Sequence, residues 1–324
     1  MQLVLDTKNI QLLKNGGTFE IVSEGGKRQI APAKLSSIAI TANVMLEAAA
    51  VRLAIQHQIP ILFFNYIGKA QARLWSPYFE SIASLRRQQL RFTESPEATA
   101  WMIDVFLLKT EGQVASLRFL RKRSTRIASG LDGVIRNINK QSRNFERYRD
   151  QLPEEARNNL MGVEGAIARQ YWQGIGNALP KRYAFQKRSR RPAEDAFNAL
   201  LNYCYGMLYS VVEGGIFAAG LDPYLGILHA DEYKKPTLAF DLIEVFRPWI
   251  DQLLIQECTH LKIEKNFFTK NQHGLYLNKT GKAYIIPLFN DFLRSERKFQ
   301  QRESSVKNHI HFIAGQLAQR IRTY

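Results

Sequence analysis

Cysteine is scarce in this chain, with only Cys204 and Cys258 among 324 residues. Both lie in apolar stretches of helical period, where a thiol serves as a small core side chain. Two cysteines cannot build the disulfide framework on which small secreted proteins depend. The scarcity therefore favours a reducing compartment, and we expect a cytoplasmic protein.

Long apolar runs are also missing. No stretch reaches the roughly 18 consecutive apolar residues of a membrane-spanning helix. The first ten residues, MQLVLDTKNI, do not place a cationic segment before an apolar one, as a secretory signal would. We therefore expect neither a membrane segment nor a secretion signal.

Acidic residues are few beside the basic ones. Asp and Glu total 29 and Lys and Arg total 45, which gives a formal net charge of +16. Such an excess indicates a polyanionic partner. Nucleic acid is favoured over a membrane surface, because no basic amphipathic helix stands alone at either end of the chain.

Several common catalytic signatures are absent. The sequence contains no CxxC, HExxH, GxxxxGK[ST] or GxSxG motif. Their absence argues against a zinc ribbon, an HExxH metalloprotease, a P-loop ATPase and a serine hydrolase with a nucleophile elbow. Any chemistry must therefore come from residues outside these motifs.

The hydrophobic period changes near residue 76. Residues 1–76 alternate short β-rich stretches with Gly and Pro turns around one helix, whereas residues 77–324 follow helical spacing. We expect an α+β protein, with a small N-terminal β-sheet domain followed by a large all-α domain. The helices predicted for the second part are 80–92, 99–127, 131–139, 154–179, 193–219, 237–258, 279–301 and 305–322.

Two acids in an apolar run are the first candidates for chemistry. Asp241 and Glu244 lie three residues apart, so they share a face if the segment is helical. Ionised carboxylates in such surroundings need a positive partner. That partner is either a divalent cation, with His229 as a further ligand, or the side chain of Arg247. The residues alone leave both open.

A third acid, Glu164, lies in another apolar helical stretch. Gly165 beside it costs about 1 kcal/mol of helix stability relative to alanine, which indicates close approach by a metal, a ligand or another helix. Arg169 offers the alternative of an ion pair within the helix. One imidazole with carboxylates suits Mg²⁺ or Mn²⁺, whereas zinc commonly recruits further histidines or cysteines.

The segment 181–191, KRYAFQKRSRR, carries six positive charges and no acid. A basic loop of this kind follows a phosphate backbone, and its aromatics, Tyr183 and Phe185, are placed to stack on unpaired bases. The alternative is a solvated, poorly ordered linker. The predicted DNA-binding residues are Lys181, Arg182, Lys187, Arg188, Arg190 and Arg191.

Four motifs carry a resemblance to a known family: EGAIARQYW (164–172), FNALLNYCYGML (197–208), GLDPYLGILH (220–229) and AFDLIEVFRP (239–248). In this order and spacing the chain resembles the CRISPR-associated endonuclease and integrase. That family provides the larger subunit of the complex that inserts new spacers into CRISPR arrays. The resemblance covers essentially the whole length.

The resemblance implies a function and a site. Glu164, His229 and Glu244 would bind a divalent metal, Mg²⁺ or Mn²⁺, and Asp241 would be an adjacent carboxylate in a catalytic helical domain. The reaction would join incoming spacer DNA to the array by attack of a 3′-hydroxyl on a phosphodiester. The implied partners are DNA, a second copy of the chain and a small CRISPR adaptation protein, in a prokaryotic cytoplasm. The N-terminal domain would serve dimerisation and partner docking.

Two other functions remain open. A stand-alone, structure-selective nuclease would use the same cation without joining strands. A non-catalytic nucleic-acid scaffold would use the acids only in ion pairs, and a chelator would then change nothing.

Overall fold

The computed structural model describes residues 2–35, 37–57, 59–64, 70–74, 83–122, 125–190, 192–229, 235–272 and 274–324. The boundary predicted between residues 76 and 77 lies outside these ranges, as does Arg191 of the basic segment. Among the described residues, no helix is both long and apolar enough to cross a membrane. The cytoplasmic location stays a prediction.

The N-terminal part is built from short strands around one helix. Within the described residues the strands form two four-stranded sheets, ordered β1-β5-β7-β8 and β4-β3-β2-β6. The elements are β1 (Gln2–Leu5), β2 (Gln11–Asn15), β3 (Thr18–Ser23), β4 (Gly26–Ile30), β5 (Ser37–Ile40), β6 (Met45–Leu46), α1 (Ala48–Gln56), β7 (Ile61–Phe64) and β8 (Ala70–Leu74).

Hydrophobic register explains the pairing in both sheets. In the first sheet β5 pairs in parallel with β1 and β7, which sets Ile38 opposite both Leu3 and Ile61. All three side chains are buried, as expected for parallel strands whose faces are covered. In the second sheet β2 and β3 form a hairpin whose turn uses Gly16 at φ +57°, a left-handed conformation that glycine adopts without strain.

Helices dominate the rest of the chain, as predicted. They are α2 (Ala83–Thr93), α3 (Pro96–Arg121), α4 (Thr125–Ser142), α5 (Pro153–Ala178), α6 (Ala196–Ala218), α7 (Thr237–Leu242), α8 (Arg247–Thr259), α9 (Lys279–Arg294) and α10 (Val306–Thr323). Within the ranges that the structure describes, two antiparallel hairpins interrupt them, and the prediction of an all-α part missed both. They are β9 (Phe268–Asn271) with β10 (Gly274–Leu277), and β11 (Glu296–Phe299) with β12 (Arg302–Ser305).

The chain forms two compact units. The first is Met1–Ser81 with Tyr284–His309, and the second is Ile82–Ala283 with Ile310–Tyr324. The sequence placed residues 284–309 in the helical domain, whereas the structure groups them with the strands. Asn290 shows why: its side chain accepts a hydrogen bond from the Gln2 amide (3.0 Å) and donates one to the Gln2 carbonyl (3.3 Å).

The helix predicted over 237–258 is broken in the structure. It ends at Leu242, continues as a 3₁₀ turn over Ile243–Val245, and restarts as α8 with Pro248 in its first turn. Proline lacks the N–H that a continuous helix needs, but it fits a first turn, where that N–H would have no partner within the helix. Glu244 therefore lies in the 3₁₀ turn, between two helices.

A close helix crossing lies beside this break. A Cβ added to Gly112 of α3 would lie 2.7 Å from Cβ of Pro248, so α3 and α8 approach more closely than any side chain at 112 would permit. The Ser116 hydroxyl donates to the Gly112 carbonyl (3.1 Å) and contacts that of Pro248 (3.4 Å). This crossing brings the middle of α3 against the 3₁₀ turn that carries Glu244.

Candidate active site

Two of the predicted ligands, Glu164 and Glu244, converge on one cationic atom. The Lys109 Nζ on α3 lies 2.5 Å from Oε1 of Glu164 on α5 and 2.5 Å from Oε2 of Glu244. The Lys109 side chain is 9% exposed. Burial alone would lower the pKa of this ammonium, but Glu244 and then Glu164 outweigh burial and raise it. The lysine is therefore a cation between two carboxylates.

Glu244 has a second cationic partner in Arg247, whose Nη1 lies 2.5 Å from its Oε1. Burial would raise the pKa of Glu244, but Arg247 and then Lys109 lower it to about 2. The prediction that Arg247 neutralises an acid is therefore confirmed for Glu244. Its other oxygen, Oε2, is the one that lies 2.5 Å from the Lys109 Nζ.

His229 and Asp241 meet in space and pair with each other, a contact that was not predicted. Oδ1 of Asp241 lies 2.6 Å from Nδ1 of His229 and accepts a bond from the His229 amide at 3.3 Å. Oδ2 accepts from the amides of Ile227 (2.6 Å) and Leu228 (3.3 Å). With Asp241 as the acceptor, Nδ1 is the donor of this bond, and the other ring nitrogen, Nε2, points away from it.

The loop that carries His229 is held from both sides. The buried Gln89 donates from Nε2 to the Asp222 carbonyl (2.8 Å) and accepts from the Asp222 amide (2.9 Å). Further along, the Gly226 amide donates to Oγ1 of Thr237 (3.0 Å), at the start of α7. A Cβ at Gly226 would lie 2.6 Å from Cβ of Thr237, so glycine is required for this approach.

These residues fit a divalent cation in part. Carboxylate oxygens from α5 and from the 3₁₀ turn converge on a position that already holds positive charge, and hard oxygen donors suit Mg²⁺ or Mn²⁺. Over the ranges given above, however, no three His, Cys, Asp or Glu side chains are arranged to hold an ion. The His229 ring contacts Asp241 instead, so the role of His229 as a third ligand stays a prediction.

The surroundings of Glu164 differ from those predicted. A Cβ at Gly165 would meet no heavy atom within 4 Å among the described residues, so no close approach there requires glycine. Glu164 pairs with Lys109 rather than with Arg169. The sequence analysis missed Lys109, although a lysine inside the apolar stretch VFLLKTEGQV was a signal that a buried acid lies nearby.

A second buried group that was not predicted is the carboxylate of Asp251, on α8. Asp251 accepts hydrogen bonds from the hydroxyls of Tyr171 (2.9 Å) and Tyr205 (2.5 Å). Burial raises the pKa of Asp251 to about 6, against the effect of these hydroxyls. The Tyr205 ring lies 5.2 Å from the Arg247 guanidinium and 5.5 Å from that of Arg188, so it links Arg247 to the basic segment.

Both aromatics of the basic segment are buried. The Tyr183 hydroxyl donates to the Ile263 carbonyl at 2.6 Å, and the Phe185 ring stacks on Phe197 with 5.2 Å between centroids. The prediction that Tyr183 and Phe185 stack on unpaired bases is therefore wrong. They are buried because the segment packs on the protein through its apolar side chains.

The basic side chains of this segment divide into two groups. Arg188 donates to Oδ1 of Asn198 (2.9 Å) and of Asn202 (2.6 Å), and Arg182 donates to the Leu261 carbonyl (3.1 Å). These guanidinium groups have acceptors within the protein, and their role as DNA contacts stays a prediction. Arg182 is exposed nonetheless, as are Lys181, Lys187 and Arg190, and the Lys187 Nζ lies 3.7 Å from Oε1 of Glu194.

Comparison with known proteins decides the family. The family model described as "CRISPR associated protein Cas1" matches residues 3–291. The chain belongs to the Cas1 family. A curated relative, CRISPR-associated endonuclease Cas1 1 of Thermodesulfovibrio yellowstonii, is 27% identical over 296 residues, which are 90% of this chain and 91% of the relative.

Solved structures show the same fold. A casposase bound to an integration product superposes with a TM-score of 0.84 at 22% identity, over 99% of this chain and 90% of the casposase chain. A chain of a Cas6-RT-Cas1–Cas2 complex matches with a TM-score of 0.79 at 22% identity, over all of this chain and 35% of that longer one. The Cas1 fold, with strands first and helices after, therefore extends through this chain.

Proposed function

We propose that this chain is the catalytic subunit that inserts new spacer DNA into a CRISPR array by metal-dependent exchange of phosphodiesters. One observation carries the proposal: in a Cas1-family chain, Glu164 and Glu244 converge from separate elements on a single cation position. The name endonuclease of its curated relative supports a role in cutting nucleic acid. The integration product in the related casposase structure supports strand joining.

The residues have distinct roles in this chemistry. Glu164 and Glu244 would hold Mg²⁺ or Mn²⁺, and Asp241 keeps the proton on Nδ1 of His229, so that Nε2 is available to the cation or to the substrate. When bound, the cation would polarise the scissile phosphate and offset charge that develops on its oxygens. Arg247 adds a fixed positive charge beside Glu244.

The proposed step exchanges one ester for another. The 3′-hydroxyl of incoming DNA gives up its proton as it attacks phosphorus in the array strand and forms a P–O bond. The bond to the leaving 3′-oxygen breaks, and that oxygen takes up a proton. The numbers of phosphodiesters before and after are equal, so the step is nearly balanced in free energy and needs no nucleotide triphosphate. Water in place of the hydroxyl gives hydrolysis.

The proposed partners follow from the family and the charge. We propose that the chain acts as a homodimer on DNA together with a small CRISPR adaptation protein, in a prokaryotic cytoplasm. The related Cas6-RT-Cas1–Cas2 complex supports such an assembly. The strand-rich region, residues 1–76, is proposed for dimerisation or partner docking.

We propose that Lys181, Lys187 and Arg190 contact DNA phosphates, because their side chains are exposed. Replacing all three by alanine is expected to weaken DNA binding and to reduce the slope of log affinity against log salt by up to about 2.7, or about 0.9 for each phosphate that is no longer neutralised. Fluorescence anisotropy between 50 and 200 mM KCl, roughly the range in which such slopes are measured, would check this.

Arg188→Ala is the control. It is expected to lower stability, since Arg188 donates hydrogen bonds to Asn198 and Asn202, and to leave the slope unchanged. An unchanged slope in the triple variant would contradict the assignment.

A specific observation favours a second candidate, the non-catalytic scaffold. Lys109 and Arg247 already neutralise Glu164 and Glu244 within the protein, as that hypothesis requires. The scaffold would bind DNA but neither cut nor join it, with or without a divalent cation.

Strand joining by the purified protein and its small partner separates the alternatives. The substrates are a labelled duplex with free 3′ ends and a target containing a leader and repeats, assayed in Mg²⁺, Mn²⁺ or EDTA. We expect joined product with either metal and none in EDTA. An incoming duplex with 3′-dideoxy ends is the matched control and should not be joined. Hydrolysis products alone would favour the stand-alone nuclease, and DNA binding without any reaction would favour the scaffold.

A further inference from the structure

Lys109 occupies the position that a cation shared by Glu164 and Glu244 would take. Its Nζ lies 2.5 Å from one oxygen of each carboxylate, and 6.0 Å from the centroid of the Phe106 ring. Phe106, Thr110 and Gln113, which lie within four residues of it on α3, are buried. A lysine is seldom buried unless an acid pairs with it, so its position depends on the two carboxylates.

The charges in this cluster already balance. Lys109 and Arg247 offset Glu164 and Glu244, so the four groups together carry no net charge. A divalent cation that joined them with the ammonium still in place would leave an excess of two positive charges. Because Oε2 of Glu244 and Oε1 of Glu164 are the oxygens that Lys109 contacts, the ammonium and a dication need the same atoms.

We propose that Lys109 is a built-in competitor of the divalent cation. Its ammonium holds Glu164 and Glu244 together when the metal is absent, and it leaves their oxygens when the metal binds. Lys109 is thus a positioning residue that weakens metal binding while it stabilises the metal-free protein. This inference rests on the proposed function only in taking these two carboxylates as metal ligands.

The test is Mn²⁺ binding to the full-length Lys109→Met variant, measured from the paramagnetic resonance of free Mn²⁺ without DNA. The methionine removes the competing charge but keeps the length and apolar character of the side chain. We expect binding tighter than in the wild type by about tenfold, the lower end of what residues around metal ligands contribute. Lys109→Arg keeps the charge and should bind Mn²⁺ about as weakly as the wild type. Lys122→Met, at the exposed end of α3, is the matched control and should change nothing.

Thermal unfolding gives a second readout. Lys109→Met should unfold at a lower temperature than the wild type in EDTA, because Glu164 and Glu244 then face each other without their shared cation. Mn²⁺ should raise its unfolding temperature by more than it raises that of the wild type. A merely structural role for Lys109 predicts the lower temperature in EDTA, but not tighter Mn²⁺ binding.

Equal or weaker Mn²⁺ binding by Lys109→Met would overturn the inference. If that variant and Lys109→Gln both fail to fold even with Mn²⁺ supplied, the inference is overturned as well, since the dication then cannot replace the ammonium. Failure of the proposed function looks different: Mn²⁺ binding would tighten as expected, while the wild type joins no DNA. Metal-dependent joining without tighter binding would instead leave the function standing and remove the role of Lys109.

Discussion

Glu244→Gln is expected to lower DNA joining about a thousandfold, the equivalent of about 4 kcal/mol, and to destabilise the fold as well. Lys109 and Arg247 both pair with this carboxylate, whose side chain is 4% exposed. Removing one partner of a buried ion pair costs about 3–5 kcal/mol, because the remaining charge stays buried without compensation. Urea unfolding at neutral pH measures the loss of stability, and the joining assay measures the loss of activity.

The pKa of Glu244 adds a pH dependence to this result. Its folded value of about 2 is below its ordinary value of 4.5, so the carboxylate contributes stability above about pH 4.5 and loses that contribution as the pH falls towards 2. The stability difference between the wild type and Glu244→Gln should therefore shrink over that window. A difference that is constant from pH 7 to pH 3, roughly spanning that loss, would contradict the ion-pair account.

Glu164→Gln is the matched control for stability. Glu164 contacts the same Lys109, but its side chain is 21% exposed and Lys109 keeps Glu244 when it is removed. We expect a comparable loss of joining with a loss of only about 1 kcal/mol in stability, as for partly exposed pairs. Equal losses of stability in Glu164→Gln and Glu244→Gln would contradict this account, because they would show that leaving Arg247 unpaired does not destabilise the protein further.

Asp241→Asn is expected to have the second large effect, a loss of about 3–5 kcal/mol in stability and of about 100-fold in joining. Both oxygens of Asp241 accept hydrogen bonds, from three backbone amides at Ile227, Leu228 and His229 and from the His229 ring. The asparagine NH₂ group would face donors instead of accepting from them, and the ring would lose the acceptor that fixes its tautomer. Urea unfolding and the joining assay check both parts.

Asp222→Asn, in the loop that leads to His229, is the control for Asp241→Asn. The Asp222 side chain accepts from the Tyr224 amide at 2.9 Å, a bond that the asparagine carbonyl can also accept. We expect a stability change within about 0.5 kcal/mol and normal joining. If Asp222→Asn proved as damaging as Asp241→Asn, the loop as a whole, rather than the carboxylate at 241, would be responsible.

Helical periodicity predicted two of the long helices well, whereas the predicted helix 99–127 ran past the end of α3 at Arg121 and into α4. The predictions 154–179 and 193–219 lie within three residues of α5 (Pro153–Ala178) and α6 (Ala196–Ala218). Errors occurred where a local signal was overlooked or a contact was distant. Pro248 divides the predicted helix 237–258, and the prediction 279–301 ran past Arg294 into the β11 strand.

The candidate site was predictable where its residues were close in sequence. His229 and Asp241, twelve residues apart, were both predicted as site residues, although their contact was not; Arg247 was predicted as a partner three residues from Glu244, and it is one. Lys109 was missed, because it lies 55 residues before Glu164 and only the packing of α3 brings it there. The packing of Arg182 and the burial of Tyr183 were missed for the same reason: their acceptors, Leu261 and Ile263, lie about 80 residues along the chain.

Gly112 has a consequence for the arrangement of charge. Lys109 lies three residues before Gly112 on α3. Arg247 directly precedes Pro248, whose ring a side chain at position 112 would meet. The crossing of α3 and α8, which carry these two residues, is therefore as close as it is because position 112 has no side chain. A methyl group at position 112 would push α3 away from α8. Lys109 and Arg247, which both pair with Glu244, lie on these two helices, so the glycine favours the close pairing of all three charges.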